Sequence, residues 1–197
     1  MALVDPIEGF GLVLRCVEER DAEFALALRS DRELARYMPA LAVDLAQQRA
    51  WIAKQRDTPG DWYFLIERRY GGQPEGLISL YACDRIRNRA EWGRWILKLG
   101  SLAAWESEFL LHRFAIEHLG LDEDYCFTIA LNNRALALHD QMGAARASVS
   151  AGHYELDGQR HDAIEHRMTR PLWLQARAPA EAAARRFARA LGAPRSG

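Results

Sequence analysis

The stretch SLAAWESEFLLHRFAIEHLGL, residues 101–121, constrains the fold more than any other part of the sequence. At 100° per residue, apolar side chains fall on two opposite faces of a helix and leave only a narrow polar stripe. One face carries Leu102, Trp105, Phe109, His112, Ile116 and Leu119, the opposite face carries Ala103, Leu110 and Phe114, and the stripe carries Glu106, Arg113 and Glu117. Such a helix must be buried on most sides, and we predict that it packs against a sheet.

The remaining patterns predict the strands of that sheet and three shorter helices. Apolar alternation and apolar runs indicate strands over 11–18, 61–69, 75–84, 89–98 and 125–131, and a hairpin of two strands within 147–169 around Asp157–Gly158. Helical spacing appears over 19–31, 44–57 and 132–144. The resulting order, β, α, α, β, β, β, α, β, α, β, β, predicts a mixed α/β fold whose strands are mostly joined by hairpins.

Length and composition describe one domain over residues 1–175, followed by an Ala/Arg-rich helix or tail over 176–197. The net charge of −1 gives no general attraction for nucleic acid or for an anionic membrane surface. No run approaches the roughly 20 apolar residues of a membrane span, and the N-terminus lacks the pattern of a signal peptide. The three cysteines lie far apart in apolar runs, which favours buried, reduced thiols with neither a disulfide framework nor a metal site. We therefore expect a cytoplasmic protein.

Three motifs carry a resemblance to a known superfamily. NNRALALHDQMGA, residues 132–144, is similar to the pattern Asn-x-x-Ala-(x)3-Tyr-x-x-x-Gly-Phe, with Asn132, Ala135 and Gly143 in place. RAEWGRWIL and LDGQRHDAIEHRMT resemble a strand and a final hairpin of the same superfamily. Together with the element order, they identify residues 10–173 as similar to the GCN5-related N-acetyltransferases (GNAT), in particular the RimJ/RimL-like branch, with some likeness to amino-sugar N-acetyltransferases.

The resemblance implies a GNAT acyltransferase domain over residues 1–175. Its fold would be a mixed, mostly antiparallel, twisted sheet of about six to seven strands flanked by helices, with the fourth and fifth strands splayed apart. Acetyl-CoA would be the co-substrate, with no metal, and its pantetheine arm would lie between the splayed strands. The cofactor-binding residues that this implies are Trp95, Ile96, Leu97, Lys98, Gly100, Ser101, Ala103, Asn132 and Arg134. The alternative for Asn132 is a plain helix N-cap, and the alternative for Arg134 is a residue that faces water.

The loop expected to bind the pyrophosphate departs from the family pattern. The usual signature is Gln/Arg-x-x-Gly-x-Gly/Ala, whereas this chain offers only Lys98-Leu-Gly-Ser-Leu-Ala103, which is shorter and lacks one glycine. Lys98 can act as a point charge, and Ser101 can cap the helix or donate to phosphate. The same residues are explained equally well as an ordinary turn between a strand and a helix.

The resemblance assigns the role of general base to Glu91. A carboxylate in a partly apolar cleft can take the proton that an amine must lose before it attacks a thioester, directly or through water. The alternative is a surface carboxylate at a strand end, paired with Arg89 or Arg94.

His139 occupies the helical turn in which superfamily members commonly place a tyrosine that protonates the departing CoA sulfur. A histidine is a competent general acid only when protonated, although a neutral N–H can still donate to a developing thiolate. The alternative is a core histidine bonded to Asp140 or to a main-chain carbonyl.

The acceptor is expected to be the primary amine of a small polar metabolite such as an amino sugar. In this family the acceptor pocket lies between the first helices, a strand loop and the last hairpin, where the candidate substrate contacts are Tyr37, Tyr81, Asp84 and Tyr154. Two alternatives stay open: acetylation of protein N-termini, as in ribosomal-protein acetyltransferases, and a catalytically degenerate relative that binds acyl-CoA or mediates assembly. Related folds often form homodimers, which this sequence neither requires nor forbids.

Overall fold

The computed structural model describes residues 4–39 and 43–192, and within them a single sheet of eight strands forms the centre of the molecule. The strands are β1 (Ile7–Glu8), β2 (Leu12–Cys16), β3 (Trp62–Arg68), β4 (Pro74–Asp84), β5 (Arg89–Leu97), β6 (Glu123–Ile129), β7 (Ala145–Leu156) and β8 (Gln159–Thr169). The helices are α1 (Ala22–Ser30), α2 (Leu45–Arg56), α3 (Ala104–Arg113), α4 (Asn133–Met142) and α5 (Arg170–Ala190). The predicted α/β fold is confirmed. The strand that the sequence does not predict is β1, whose two residues are too few to show an alternation of apolar and polar side chains.

The sheet has the order β1-β2-β3-β4-β5-β6-β8-β7. Every neighbouring pair is antiparallel except β5 and β6, which are parallel. Parallel neighbours need a long crossover connection, and α3 provides it. The strands predicted as the fourth and fifth of the sheet are β5 and β6.

Helices cover both faces of the sheet. Alternating residues of β3 divide between two apolar clusters, with Phe64 in the cluster under α3 and α5 and Leu65 in the cluster under α1 and α2. The period of two along a strand sends neighbouring side chains to opposite faces. The sheet is therefore buried on both faces at β3.

Helix α3 is buried as its pattern predicts, and Glu106 of its polar stripe is buried as well, whereas Arg113 is partly exposed and Glu117 is exposed. It starts at Ala104, and a π-helical turn over Phe114–His118 follows it. Glu106 is fully buried, and its Oε1 accepts hydrogen bonds from the main-chain N–H groups of Gly11 (2.9 Å) and Leu12 (3.2 Å). The carboxylate thus satisfies main-chain donors that no strand partner reaches.

Helix α5 begins six residues before the predicted C-terminal segment and continues through the predicted boundary at residue 175. Thr169 caps it by accepting from the N–H of Leu172. Ala180, Ala184 and Ala188 are buried, and small side chains allow α5 to approach α3 closely. Residues 193–197 of that segment lie outside the described residues.

Among the described residues, no helix combines the length and the apolar character that crossing a membrane requires. The three cysteines are free thiols, as predicted, but the prediction that they are buried holds only for Cys126, since Cys16 and Cys83 are partly exposed.

Candidate functional site

Strands β5 and β6 separate after a short paired region. They pair only at Arg89↔Glu123, Ala90↔Asp124 and Glu91↔Tyr125. Beyond this point β5 contains a bulge in its pairing with β4, which shifts the register between the two strands, and Arg94 of β5 adopts a φ of 47°. Bulges bend a strand and end its pairing. The main chain of β5 from residue 92 to residue 97 consequently has no strand partner on the β6 side, and the predicted splaying is confirmed.

The cleft at this separation has a volume of about 340 Å³. Its walls are residues 92–95 of β5 and residues 126–129 of β6, and the segment from Leu34 to Pro39 closes it on one side. The predicted site residues that line the cleft are Tyr37, Tyr81, Trp95, Asn132, His139 and Tyr154. The Nε1 of Trp95 is buried without a hydrogen-bond partner among the described residues. A ligand carbonyl in the cleft could accept from it.

Glu91 is not itself a lining residue of the cleft, but it contacts Tyr81, which is. The two residues are cross-strand partners, and the Tyr81 hydroxyl donates to Glu91 Oε1 at 2.8 Å. Arg89 and Arg94 pair instead with Glu123 and Asp61, so the alternative surface ion pair of Glu91 is not formed.

The charge of Glu91 acts on the tyrosines around it. Burial, followed by the charge of Glu91 and its hydrogen bond, raises the pKa of Tyr81 well above its usual range. Burial and the same charge raise the pKa of Tyr154 to about 12. Both phenols therefore stay protonated at neutral pH and can donate hydrogen bonds.

Gly93 is required by the packing of Tyr81. A Cβ atom at this position would lie 3.0 Å from the Tyr81 hydroxyl oxygen, which is too close for an unstrained contact. The bulge itself lies one residue further, at Arg94. The absence of a side chain at Gly93 leaves room for the Tyr81–Glu91 hydrogen bond.

His139 is a buried histidine that nevertheless lines the cleft. It is 2% exposed, and its Nδ1 lies 2.9 Å from Glu108 Oε1 on α3. Asp140, the partner expected in the alternative interpretation, contacts His166 and Arg146 instead. The ring of Trp92 packs against the imidazole at a centroid distance of 5.1 Å. Sequence reasoning did not identify Glu108, because helical spacing does not reveal which strand or helix faces a residue.

Asn132 both caps α4 and lines the cleft. Its Oδ1 accepts from the N–H of Ala135 at 3.3 Å, and the helix ends at Gly143 with a φ of 96°. A left-handed φ of this kind favours glycine. The cap leaves the side-chain amide nitrogen of Asn132 as the group that can donate to a ligand. Arg134 is exposed and makes no hydrogen bond or ion pair within the described part of the chain.

At the far end of β5, two residues predicted to bind phosphate are held by a buried carboxylate. Glu75 is fully buried and accepts from Ser101 Oγ at 2.6 Å and from Lys98 Nζ at 2.8 Å. It also accepts from Arg68 Nε at 2.6 Å. These three donors hold the pKa of Glu75 below its usual range, although burial opposes them.

Other predicted cofactor and substrate residues lie outside the cleft. Gly100 adopts a φ of 73° in the turn before α3, and Ala103 is buried at the N-cap of that helix. Asp84 accepts from the N–H groups of Ile86 and Arg87 in the β4–β5 turn. The structure therefore does not bring Asp84 together with the three tyrosines, since its side chain is used to hold the turn.

Arg29 lines the cleft and was not recognised in the sequence. Its Nη2 donates to the carbonyl of Pro39 at 2.9 Å, while its Nε is buried without a hydrogen-bond partner among the described residues. No carboxylate in the described part of the chain pairs with it, and residues 1–3, 40–42 and 193–197 contain no Asp or Glu. Arg94, the other guanidinium at the cleft, is neutralised by Asp61 at 2.8 Å. An unpaired, partly buried guanidinium can bind an anionic group.

Solved structures with the same fold include several acetyltransferases. A spermidine N-acetyltransferase from Vibrio cholerae, in complex with CoA and spermine, has a TM-score of 0.78 at 18% identity, over 84% of this chain and 99% of that chain. A GCN5-related N-acetyltransferase from Brucella melitensis has a TM-score of 0.77 at 16% identity, over 90% and 84%. Apo FdhC, described as a nucleotide-linked sugar GNAT, has a TM-score of 0.73 at 24% identity, over 88% and 94%.

These identities establish similarity of fold and leave the substrate open. A comparison of the sequence with curated proteins found no significant match. The family model of the acetyltransferase (GNAT) domain matches residues 11–145, which is more than half of the chain and includes the β5–β6 gap, α3 and α4. The chain therefore belongs to the GNAT acetyltransferase family, whose members are acyltransferases that use acetyl-CoA.

Proposed function

We propose that this protein transfers an acetyl group from acetyl-CoA to the primary amine of a small polar metabolite, in which an anionic group accompanies the amine, as in a phosphorylated or nucleotide-linked amino sugar. One observation carries the proposal. The Tyr81–Glu91 pair and His139 reach the same cleft from different sides, at the point where β5 and β6 separate.

The residues present fit acetyl-CoA at the pantetheine arm. The unpaired main chain of residues 92–97 offers N–H and C=O groups of the kind that form a strand-like ladder with an extended ligand. Trp95 Nε1, which is buried without a partner among the described residues, and the side-chain amide of Asn132 add donors at the cleft. When bound, acetyl-CoA supplies the acetyl group as a thioester. The phosphates would lie near the start of α3, whose first N–H groups attract anions.

Glu91 acts as the base in this proposal, and Tyr81 connects it to the cleft. The amine enters as an ammonium ion and must lose one proton before its nitrogen can form the new C–N bond. Tyr81 passes that proton to Glu91, because its hydroxyl already donates to Glu91 at 2.8 Å. Glu91 then returns the proton to solvent.

His139 donates a proton to the sulfur when the C–S bond breaks. The nitrogen loses its second proton as the amide forms, and this proton restores His139 through solvent. One proton is released overall for each ammonium ion acetylated, and the products are the amide and the free thiol. Both groups act as general acid–base catalysts, a contribution that is typically about 10²–10⁴-fold for each well-positioned group.

Arg29 supports an acceptor with an anionic group. It is the guanidinium at the cleft without a carboxylate partner among the described residues, and burial lowers its pKa. Pairing with phosphate or carboxylate would compensate this charge. Tyr37 and Tyr154 offer the aromatic and hydroxyl surface that suits a sugar ring. FdhC is described as acting in nucleotide-linked sugar chemistry, whereas a polycation such as spermine would be repelled by Arg29.

Binding of acetyl-CoA is the first test. A ligand present at 100 times its dissociation constant stabilises a folded protein by about 2.7 kcal/mol, so thermal unfolding should shift upward with acetyl-CoA. Absence of a shift at millimolar acetyl-CoA would refute the enzyme hypothesis and favour a degenerate relative. A shift without thiol release from any amine would favour a binding or assembly role.

The acceptor class is tested with a panel of amines and one variant. We expect thiol release to be fastest with phosphorylated or nucleotide-linked amino sugars and slower with spermidine or with peptide N-termini. Arg29→Met should raise KM for the anionic acceptors roughly tenfold or more, as loss of a charge-assisted hydrogen bond predicts, and leave KM for acetyl-CoA unchanged. Arg189→Met, which removes an exposed arginine of α5, is the matched control. Preference for peptide N-termini would support the protein-acetylating alternative.

A further inference from the structure

Behind the cleft, two carboxylates and two imidazoles alternate along a buried row of four side chains. Asp124 on β6 contacts His112 Nδ1 on α3 at 2.9 Å, and His112 Nε2 lies 3.5 Å from Glu108 Oε1. The same Glu108 oxygen lies 2.9 Å from His139 Nδ1 on α4. Each of the four side chains is 2% exposed or less. The row therefore runs from the interior of α3 to the wall of the cleft.

The charges of this row balance only when both imidazoles are protonated. Burial disfavours both charges of the Asp124–His112 pair and raises the pKa of Asp124, but the 2.9 Å contact between the two side chains raises the pKa of His112 to about 10. The proton of the pair therefore lies on the imidazole, so His112 is a cation and Asp124 an anion. Although burial opposes the change, His139 and His112 lower the pKa of Glu108 to about 2, so Glu108 is an anion. Two carboxylates and one imidazolium leave one negative charge in a buried site. An uncompensated buried charge is unfavourable, and a proton on His139 removes it.

Other groups packed against His139 do not supply that compensation. Trp92 and Trp95 of β5 are uncharged, and burial raises the pKa of the Cys126 thiol on β6, which keeps it neutral. His166 of β8 lies at a ring distance of 5.2 Å, and burial lowers its pKa. Asp140 of α4 is engaged by Arg146 and His166. Glu165 of β8 is engaged by Arg167 and Ser148.

We propose that Glu108 is a positioning residue that holds His139 as the proton donor to the departing thiolate, with His112 and Asp124 completing the charge balance. This inference rests on the proposed function, because it needs a thiolate to be formed in the cleft. Glu108 accepts from Nδ1–H, which fixes the ring orientation. Nε2 of His139 has no hydrogen-bond partner among the described residues and is the nitrogen left for the cleft.

The proton balance follows from this arrangement. As the C–S bond breaks, the electron pair of that bond goes to sulfur, and the Nε2 proton of His139 moves to the sulfur. His139 becomes neutral while it keeps the Nδ1–H bond to Glu108. The row then carries one net negative charge, which favours recovery of a proton from solvent. A histidine supported in this way can replace the tyrosine that the family pattern places in this turn.

Glu108→Gln is the decisive variant, because it retains an oxygen acceptor for Nδ1–H and removes the charge. Removal of the negative charge 2.9 Å from Nδ1 disfavours the protonated ring, so we expect the alkaline limb of the kcat profile to move to lower pH. At pH 8 kcat should fall about tenfold, with KM values unchanged. His139→Asn should abolish this limb, and the double variant should be no slower than His139→Asn alone. An unchanged pH profile in Glu108→Gln would overturn the inference.

Glu106→Gln is the matched control, since it also removes a buried carboxylate of α3, but one that faces β2. It should lower stability without moving the pH profile.

Side-chain ¹⁵N NMR of the histidines in the wild-type protein provides an independent readout if Glu108→Gln does not fold. We expect His139 to carry a proton on Nδ1 at neutral pH, and a bare Nδ1 would contradict the inference. This measurement separates the two proposals. Absence of acetyl transfer by the wild-type protein refutes the proposed function, whereas transfer with an unshifted Glu108→Gln profile refutes only the role of Glu108.

Discussion

Two carboxylates beside the two ends of β5 are used in opposite ways. The end at Glu91, where we propose the chemistry, is called the chemical end, and the end beside Glu75 of β4, where the phosphates are proposed to bind, is called the phosphate end. At the chemical end, Glu91 is half-buried and receives one side-chain hydrogen bond, from Tyr81. At the phosphate end, Glu75 is fully buried and is engaged by Arg68, Lys98 and Ser101. The two ends are separated by roughly 20 Å of extended strand.

The two carboxylates differ in which groups remain available to a ligand. A carboxylate with one donor keeps acceptor capacity for a proton or a second donor, whereas Glu75 already accepts from two cations and a hydroxyl. In the proposed mechanism the chemical end is therefore the one that takes up a proton. At the phosphate end, the proposal leaves main-chain N–H groups at the start of α3 as the principal anion donors, because Lys98 is already neutralised by Glu75.

The largest effect should come from Glu91. We expect Glu91→Gln to lower kcat by roughly 10²–10⁴-fold, because an amide cannot accept the proton from Tyr81 and the amine. KM for acetyl-CoA should change little. Steady-state thiol release measures both constants.

Glu123→Gln is the control for this variant, because it removes a partly buried carboxylate that pairs with Arg89 at the paired end of β5 and β6. Equal activity of Glu91→Gln and the wild type would show that the chemical end does not use this carboxylate.

The next effect concerns acid stability. The pKa of Glu108 in the folded protein is about 2, below its ordinary value of 4.5. A depressed carboxyl pKa stabilises the folded state above the unfolded-state pKa, and this contribution is lost as pH falls from about 4.5 towards 2. The difference between the two pKa values corresponds to about 3 kcal/mol in the free energy of unfolding. Urea unfolding at several pH values should therefore show a steeper acid loss in the wild type than in Glu108→Gln.

Glu75→Gln should show the same direction of change, since the pKa of Glu75 is also lowered. Its effect should be smaller, because its partners Arg68 and Lys98 are 35% and 37% exposed and water screens them. If the free energy of unfolding falls equally steeply with decreasing pH in the wild type and in Glu108→Gln, the assignment of a buried anion at position 108 is contradicted.

A smaller effect is expected from Gly93→Ala. The new methyl group would meet the Tyr81 hydroxyl oxygen at 3.0 Å, so the ring must shift and lengthen its bond to Glu91. We expect kcat to fall about tenfold, equivalent to about 1.4 kcal/mol, with no change in KM for acetyl-CoA. If the mechanism is displacement of Tyr81, then adding Gly93→Ala to Tyr81→Phe should cause no further loss.

The smallest effect is expected from Lys98→Met. Since Lys98 already pairs with Glu75, its loss should raise KM for acetyl-CoA less than about threefold, near the range of an exposed ion pair. The matched control is Lys54→Met on α2, which removes the other lysine of the chain. A rise of 30-fold or more would show that Lys98 leaves Glu75 to bind phosphate, and the contrast between the two ends would then be wrong.

The element order and several local features can be predicted from the amino-acid sequence alone. Alternation and helical spacing found each strand from β2 onward, and the Asp157–Gly158 turn and the Asn132 cap lie where local chemistry requires them. The separation of β5 from β6 was implied only by the family resemblance. The other features depend on residues close together in the chain, so local pattern is sufficient to predict them.

The partners of the charged residues at the cleft could not be predicted, because they depend on how distant elements pack. Glu108 contacts His139 across 31 positions, and Glu75 contacts Ser101 across 26. Arg29 reaches the cleft without any motif around it. Helical or strand spacing states the face on which a side chain lies but not which residue of another element meets that face, because packing between distant elements fixes that contact.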